Sequence, residues 1–173
     1  MTIDLLPWQK QPTSNWGHWA IVGGRGTGKT TALHVAAGER ARDGEHVVVV
    51  DPWLDPVRAL GRIAGTLYQH DGAAGWHITQ REIRFDSGGT IRTLNPYSHL
   101  PAHVRGEPCD TVMLDDVATR IVPAGERRLD ELLRLLRHLG AKRWAEAITA
   151  ATQTGIPETA YTDIPEETTD DAR

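Results

Sequence analysis

The chain is poor in cysteine, phenylalanine and uninterrupted apolar stretches, and each shortage narrows what it can be. A single cysteine, Cys109, excludes an internal disulfide and fits a reducing compartment. With Phe85 as the one phenylalanine, packing must come from alanine, leucine, valine and six tryptophans. No apolar run is long enough to cross a bilayer, and the first residues lack the apolar core of a signal peptide. Neither sign of charge dominates: a formal net charge of −4 gives no overall pull toward nucleic acid. The charge is unevenly spread, however. Arg120 to Arg143 holds seven Lys/Arg against three Asp/Glu, whereas Glu158 to Arg173 holds six acids against one base. That acidic end reads as a solvated tail. The 173 residues suffice for one domain with a real core.

What the chain does have is GGRGTGKT at residues 23–30, which fits the phosphate-binding pattern G-x-x-x-x-G-K-[ST]. Gly23, Gly28, Lys29 and Thr30 occupy the required positions. The candidate nucleotide-binding set is Gly23, Gly24, Arg25, Gly26, Thr27, Gly28, Lys29, Thr30 and Thr31. The apolar stretch Trp19-Ala20-Ile21-Val22 runs into the loop, and a helix-compatible stretch, Thr30 to Arg42, runs out of it. Glycines let the backbone fold around an anion with successive N–H groups pointing inward. The helix start adds unpaired donors and a partial positive charge. Lys29 would then reach the β- and γ-phosphates of ATP, and the Thr30 hydroxyl would ligate Mg²⁺.

The remaining punctuation predicts alternating strands and helices. Residues 1–15 read as an irregular lead-in, and Trp16 to Val22 as the first strand. His46 to Val50 is a β-branched run of the kind covered on both faces, ending at Asp51-Pro52. A short helix is expected around Val57 to Tyr68. Glu82 to Asp86 and Thr90 to Leu94 flank Ser87-Gly88-Gly89 as a hairpin. Thr111 to Leu114 is another apolar strand, ending in Asp115-Asp116. Gly125 to Leu139 carries the stripe Leu129, Leu132, Leu133, Leu136 and Leu139, with Gly140 as its stop. Ala147 to Ala151 reads as the last core strand. This alternation predicts an α/β fold with a mostly parallel sheet, helices on both faces and a small β-hairpin insert.

Hydrolysis needs metal held opposite the loop and a polarised water. Asp115, at the end of a buried strand, is the expected Mg²⁺ ligand beside Thr30, and Asp116 the expected water activator. Asp51 also ends a buried strand. It is either a rival ligand or a turn residue at Asp-Pro, and the turn role is favoured. His99 and His103, with Cys109 and Asp110 nearby, have a metal-like spacing, but Pro101 between the histidines argues against one helix presenting both.

Three features, GGRGTGKT, HVVVVDP and TVMLDD, are followed by LLRLLRHLGAKRWAEAITAATQTG. Together they resemble the HerA/FtsK superfamily of DNA-translocating ATPases. The likeness is greatest to its small viral branch, the genome-packaging ATPases of membrane-containing phages and archaeal viruses. It covers roughly residues 16–155 and includes Arg137-His138-Leu139-Gly140 and Ala151-Thr152-Gln153. The resemblance implies a P-loop NTPase fold of RecA/ASCE type. It implies an ATPase domain over 16–157 followed by an acidic tail over 158–173. It further implies Gln153 as a sensor near the γ-phosphate, and a homo-oligomeric ring, usually a hexamer, with an arginine finger. Arg137 is the leading finger candidate, then Arg134, with Arg127 and Arg128 behind them. Implied partners are double-stranded DNA and a capsid vertex or portal protein, with the protein in the host cytoplasm or the virion and not secreted. DNA contact would come from loops such as the Arg81–Arg92 hairpin, with Arg84, or Asn95–Arg105.

The function this resemblance implies is ATP-driven translocation of double-stranded DNA, in the form of genome packaging into a capsid. Three alternatives share the phosphate loop: a conjugation or segregation motor, a small-molecule kinase and a weakly hydrolysing nucleotide-binding regulator.

Overall fold

A computed structural model describes residues 4–13, 16–72, 74–97, 107–117 and 123–149. Its centre is β2 (His46–Val50), flanked by β6 (Thr111–Asp115) and β5 (Thr90–Leu94). Because β2 is β-branched at every position after His46, it can face apolar cover on both sides. Val47 and Val49 pack with Leu33 of α1 (Lys29–Arg42) and with Leu60, Ile63 and Leu67 of α2 (Pro56–Asp71). Val48 and Val50 pack on the other face with Val112 and with Leu132 and Leu136 of α3 (Pro123–His138). The fold is therefore a three-layer α/β sandwich with helices on both faces.

The seven strands run in the order β1-β7-β6-β2-β5-β4-β3. β1 (His18–Gly23), β7 (Arg143–Thr149), β6, β2 and β5 are parallel; β4 (Ile83–Phe85) and β3 (Trp76–Ile78) continue the sheet antiparallel. The expected hairpin is thus β4–β5. It is continuous with the main sheet, because β5 also pairs with β2.

Several boundaries differ from the sequence reading. The short helix expected near Val57–Tyr68 has 16 residues, opened by Asp55, whose carboxylate caps Val57 and Arg58 N–H groups. The last strand begins at Arg143, four residues earlier than expected. Ala145 and Ala147 are buried there, and the charged Arg143 at the strand's start and Glu146 between the two alanines masked the alternation. β1 buries only Ile21 fully, and Val22 is 41% exposed, because this strand lies at one border of the described sheet. In α3, Leu135 packs with Leu129, Leu132, Leu136 and Leu139; Leu133, expected in that stripe, is half-buried outside it.

Candidate functional site

β1 delivers Gly23 to a loop that turns into α1 at Lys29. Gly26 and Gly28 have φ of 77° and 80°, the left-handed region that glycine adopts without strain. A Cβ at Gly28 would also run into Gln9 Nε2. The loop is braced from within by Thr27 Oγ1, which donates to the Gly24 carbonyl at 3.0 Å. It is braced from outside by Gln9, whose Nε2 donates to the Thr27 carbonyl at 2.9 Å. Gln9 is buried and is itself oriented by the Leu6 N–H, which donates to its Oε1 at 2.8 Å. The lead-in therefore packs on the loop, a role that the sequence alone did not reveal. Lys29 is buried, and its ammonium donates to the Gly24 carbonyl at 2.7 Å. Gly24 is buried, Arg25 and Gly26 are exposed, and Thr27, Gly28, Thr30 and Thr31 are partly buried.

The acidic strand end comes to this loop. Asp115 pairs in register with Ala147 of β7, and Ala147 with Ile21 of β1, which sets the carboxylate two strands from the glycine turn. Thr30 Oγ1 donates to Asp115 Oδ1 at 2.8 Å across 85 residues of sequence. Asp115 is 3% exposed. Burial pushes its carboxyl above the usual carboxylate range; the Thr30 hydrogen bond and the charge of Arg62 oppose this, while Asp51 and Asp116 reinforce it. Arg62, on α2, was not foreseen as a neighbour of this group.

Asp116 follows at φ 55°, a left-handed conformation uncommon for a side chain with a Cβ. Its N–H donates to Ala147 O at 2.9 Å, and its Oδ1 accepts from Thr149 N–H at 2.9 Å. It thus joins the ends of β6 and β7 beside Asp115. Asp51 accepts from Trp53 N–H at 2.7 Å and Leu54 N–H at 3.1 Å, which is the turn role at Asp51-Pro52.

The other candidates are not gathered here. Arg134 and Arg137 are exposed, and Arg127 is exposed higher on α3. The Arg137 guanidinium lies 5.2 Å from the Trp144 ring centroid, beside the start of β7 and at the end of the sheet away from the glycine loop. Gln153, His99 and His103 lie outside the described residues, as does the Arg128 side chain. Cys109 is buried, and burial raises its thiol to about 12, which leaves it inert at neutral pH.

Among known proteins, no family model and no curated sequence matches the chain. Solved structures do. The large terminase from a thermophilic bacteriophage aligns over 82% of this chain at 16% identity, TM-score 0.56. The bacteriophage Phi-29 viral genome packaging motor assembly aligns over 84% at 14% identity, TM-score 0.55. The large terminase ATPase domain of a Thermus phage aligns over 83% at 18% identity, TM-score 0.50. The chain spans 36%, 49% and 63% of those three, respectively. The shared feature is the fold, a mostly parallel α/β sheet of P-loop NTPase type, as expected from the sequence.

Proposed function

We propose that this chain is an ATPase that binds ATP with Mg²⁺ and uses its hydrolysis to move double-stranded DNA into a viral capsid, as one subunit of a homo-oligomeric ring at a capsid vertex. The observation that carries the reading is the Thr30–Asp115 contact at the mouth of the glycine loop. A hydroxyl and a buried carboxylate 2.8 Å apart are a donor set of hard oxygens, which suits Mg²⁺. When bound, that ion would supply charge neutralisation on the phosphates. Loop N–H groups would cradle the β-phosphate, and Lys29, released from Gly24 O, would turn to the phosphate oxygens. Asp116 is assigned to orient the attacking water, Gln153 to sense the γ-phosphate and Arg137 to serve a neighbouring subunit. The fold-level likeness to two phage terminases and to the Phi-29 packaging assembly supports a motor over a kinase. The HerA/FtsK placement within such motors rests on Arg137-His138-Leu139-Gly140 and Ala151-Thr152-Gln153.

The test is to measure ATP turnover and oligomeric state together, with and without duplex DNA. We expect a ring with DNA-stimulated turnover, and Lys29→Ala should cut turnover by about three orders of magnitude with the fold intact. A monomer indifferent to DNA that phosphorylates nucleosides or sugars would replace the motor with a kinase.

A further inference from the structure

The α3 side of the sheet changes character from its centre to its flank. Over β6 and β2 it is apolar and covered by α3. Over β5 and β4 the same face turns polar. Arg84 pairs in register with Thr90, and Thr90 with His46, so the three form a row across β4, β5 and β2. Arg92 lies two residues beyond Thr90 and so on the same face. The opposite face of these strands carries Ile83, Phe85 and Ile91 into the α1/α2 core. Above the polar row is a cavity of about 610 Å³, walled by Thr79 and Arg81 of the β3–β4 turn and by Glu107 and Pro108 ahead of β6. It opens at the starts of the parallel strands, whereas Gly23 and Asp115 lie at their ends. Along the strand direction alone, a five-residue strand separates the two ends by roughly 16 Å.

Arg92 gives this cleft its sign. Its side chain is 6% exposed, an unusual place for a cation within a sheet. Nη1 pairs with Glu107 and Nη2 donates to the Pro108 carbonyl, but the buried Nε has no hydrogen-bond partner. Glu107 is 49% exposed, so water weakens its hold on the buried charge. Arg84 is tied to Glu82, and Arg81 is exposed and forms no ion pair among the described residues. Three guanidinium groups face two carboxylates, which leaves a local excess of positive charge on a chain whose formal net charge is −4.

We propose that this cleft grips the phosphodiester backbone of a nucleic-acid duplex, with Arg81 and Arg92 as phosphate partners and Arg84 exchanging Glu82 for phosphate as the strand arrives. The choice of a duplex rests on the motor reading above; the choice of a phosphate ligand rests on the cleft. Guanidinium forks match phosphate oxygens. Arg81 stands on the β3–β4 turn, Arg84 on β4 and Arg92 on β5, so the cations come from three separate positions around the cleft. Cations spread over three elements suit the successive phosphates of a polyanion better than a lone inorganic anion.

The experiment is fluorescence anisotropy of the full chain with a labelled duplex of about 30 base pairs over a salt series. Arg81→Ala/Arg84→Ala removes two exposed side chains and should preserve the fold. We expect binding to weaken by about tenfold or more, and the slope of log affinity against log salt to become shallower by about two. Basal ATP turnover without DNA should be unchanged. Arg92→Lys keeps the charge but loses the fork, and should also weaken binding, with its melting curve confirming the fold. Wild-type affinity and slope in the double variant would overturn the proposal, as would a wild-type chain that binds no duplex. Displacement of the duplex by millimolar inorganic phosphate at constant ionic strength would mark a small-anion site and also overturn it. Failure of the motor reading would appear elsewhere, as absent nucleotide binding in the unmodified chain with duplex affinity still sensitive to Arg81 and Arg84.

Discussion

Glu45 and Asp115 are both charged residues at strand borders, at opposite ends of the parallel sheet, and their surroundings differ sharply. Glu45 accepts from Thr111 Oγ1 at 2.6 Å and from Arg143 Nη1 at 2.7 Å, and Arg40 lies 3.6 Å away. It thereby ties the α1–β2 turn to β6 and β7. Nearby, Asp110 accepts from the His46 N–H at 2.9 Å. Asp115, by contrast, is met by one hydroxyl, with Asp51 and Asp116 close enough to repel it. A carboxylate neutralised on several sides locks a fold. One that is buried among like charges costs stability until a cation arrives. The comparison separates a structural end from the end where, under the proposed function, a cation would bind.

The largest expected effect tests the second half of that contrast. Asp115→Asn should lower ATP turnover by about two to three orders of magnitude, as expected when one preorganised charge-stabilising group is lost. Its thermal melt should hold steady or rise, because a desolvated carboxylate has become a neutral amide of similar shape. A lowered melt with normal turnover would reverse the assignment of the two ends. Glu45→Ala should do the opposite. It strips Thr111 of its acceptor and Arg143 of one partner, so denaturant unfolding should report a loss of about 2–3 kcal/mol. Turnover per folded molecule should be unchanged.

How much of this was legible depended on how local the determining physics is. The glycine loop could be read because its residues lie side by side and each is required by backbone geometry at its own position. β2 matched the expected His46–Val50 to the residue, since an unbroken β-branched run is its own signal. Asp115 could be placed because a carboxylate at the end of a buried strand needs only strand direction. Gln9 could not: its role depends on the lead-in crossing back over residues 18 positions away. The last turn of α2 was hidden because Gln69, His70 and Asp71 extend it without an apolar residue, past an expected helix that already spanned Gly61 and Gly65. Both lie on an exposed face where a side chain would meet nothing. The border position of β1 depends on strand order, and no pattern within WAIV encodes that order. Likewise, the polar face of β5 looked like half of an ordinary hairpin until register set Thr90 beside His46 and Arg92 beside Val48.

The smallest effect concerns a residue that belongs to neither end. His34 is on α1, one turn beyond Thr30, and is 2% exposed, with Nδ1 3.3 Å from Thr66 Oγ1 of α2. Burial, helped by the charge of Arg62, lowers its pKa from 6.5 to about 3. The native imidazole therefore stays neutral while the unfolded chain takes up a proton as pH falls below 6.5. Because the unfolded state binds more protons in that window, stability falls as pH drops from 6.5 toward 3. At pH 5 the loss relative to neutral pH should be about 2 kcal/mol from this group alone. His34→Gln retains a polar partner for Thr66 and removes the titration. Urea unfolding at pH 7, 6 and 5 should show that the variant loses about 2 kcal/mol less than the wild type across this range. Turnover at pH 7 should be little changed, because the neutral side chain touches neither the loop nor Asp115. An acid slope that survives the substitution would assign the sensitivity to the carboxylates at the two ends, and the helix layer between them would carry none of it.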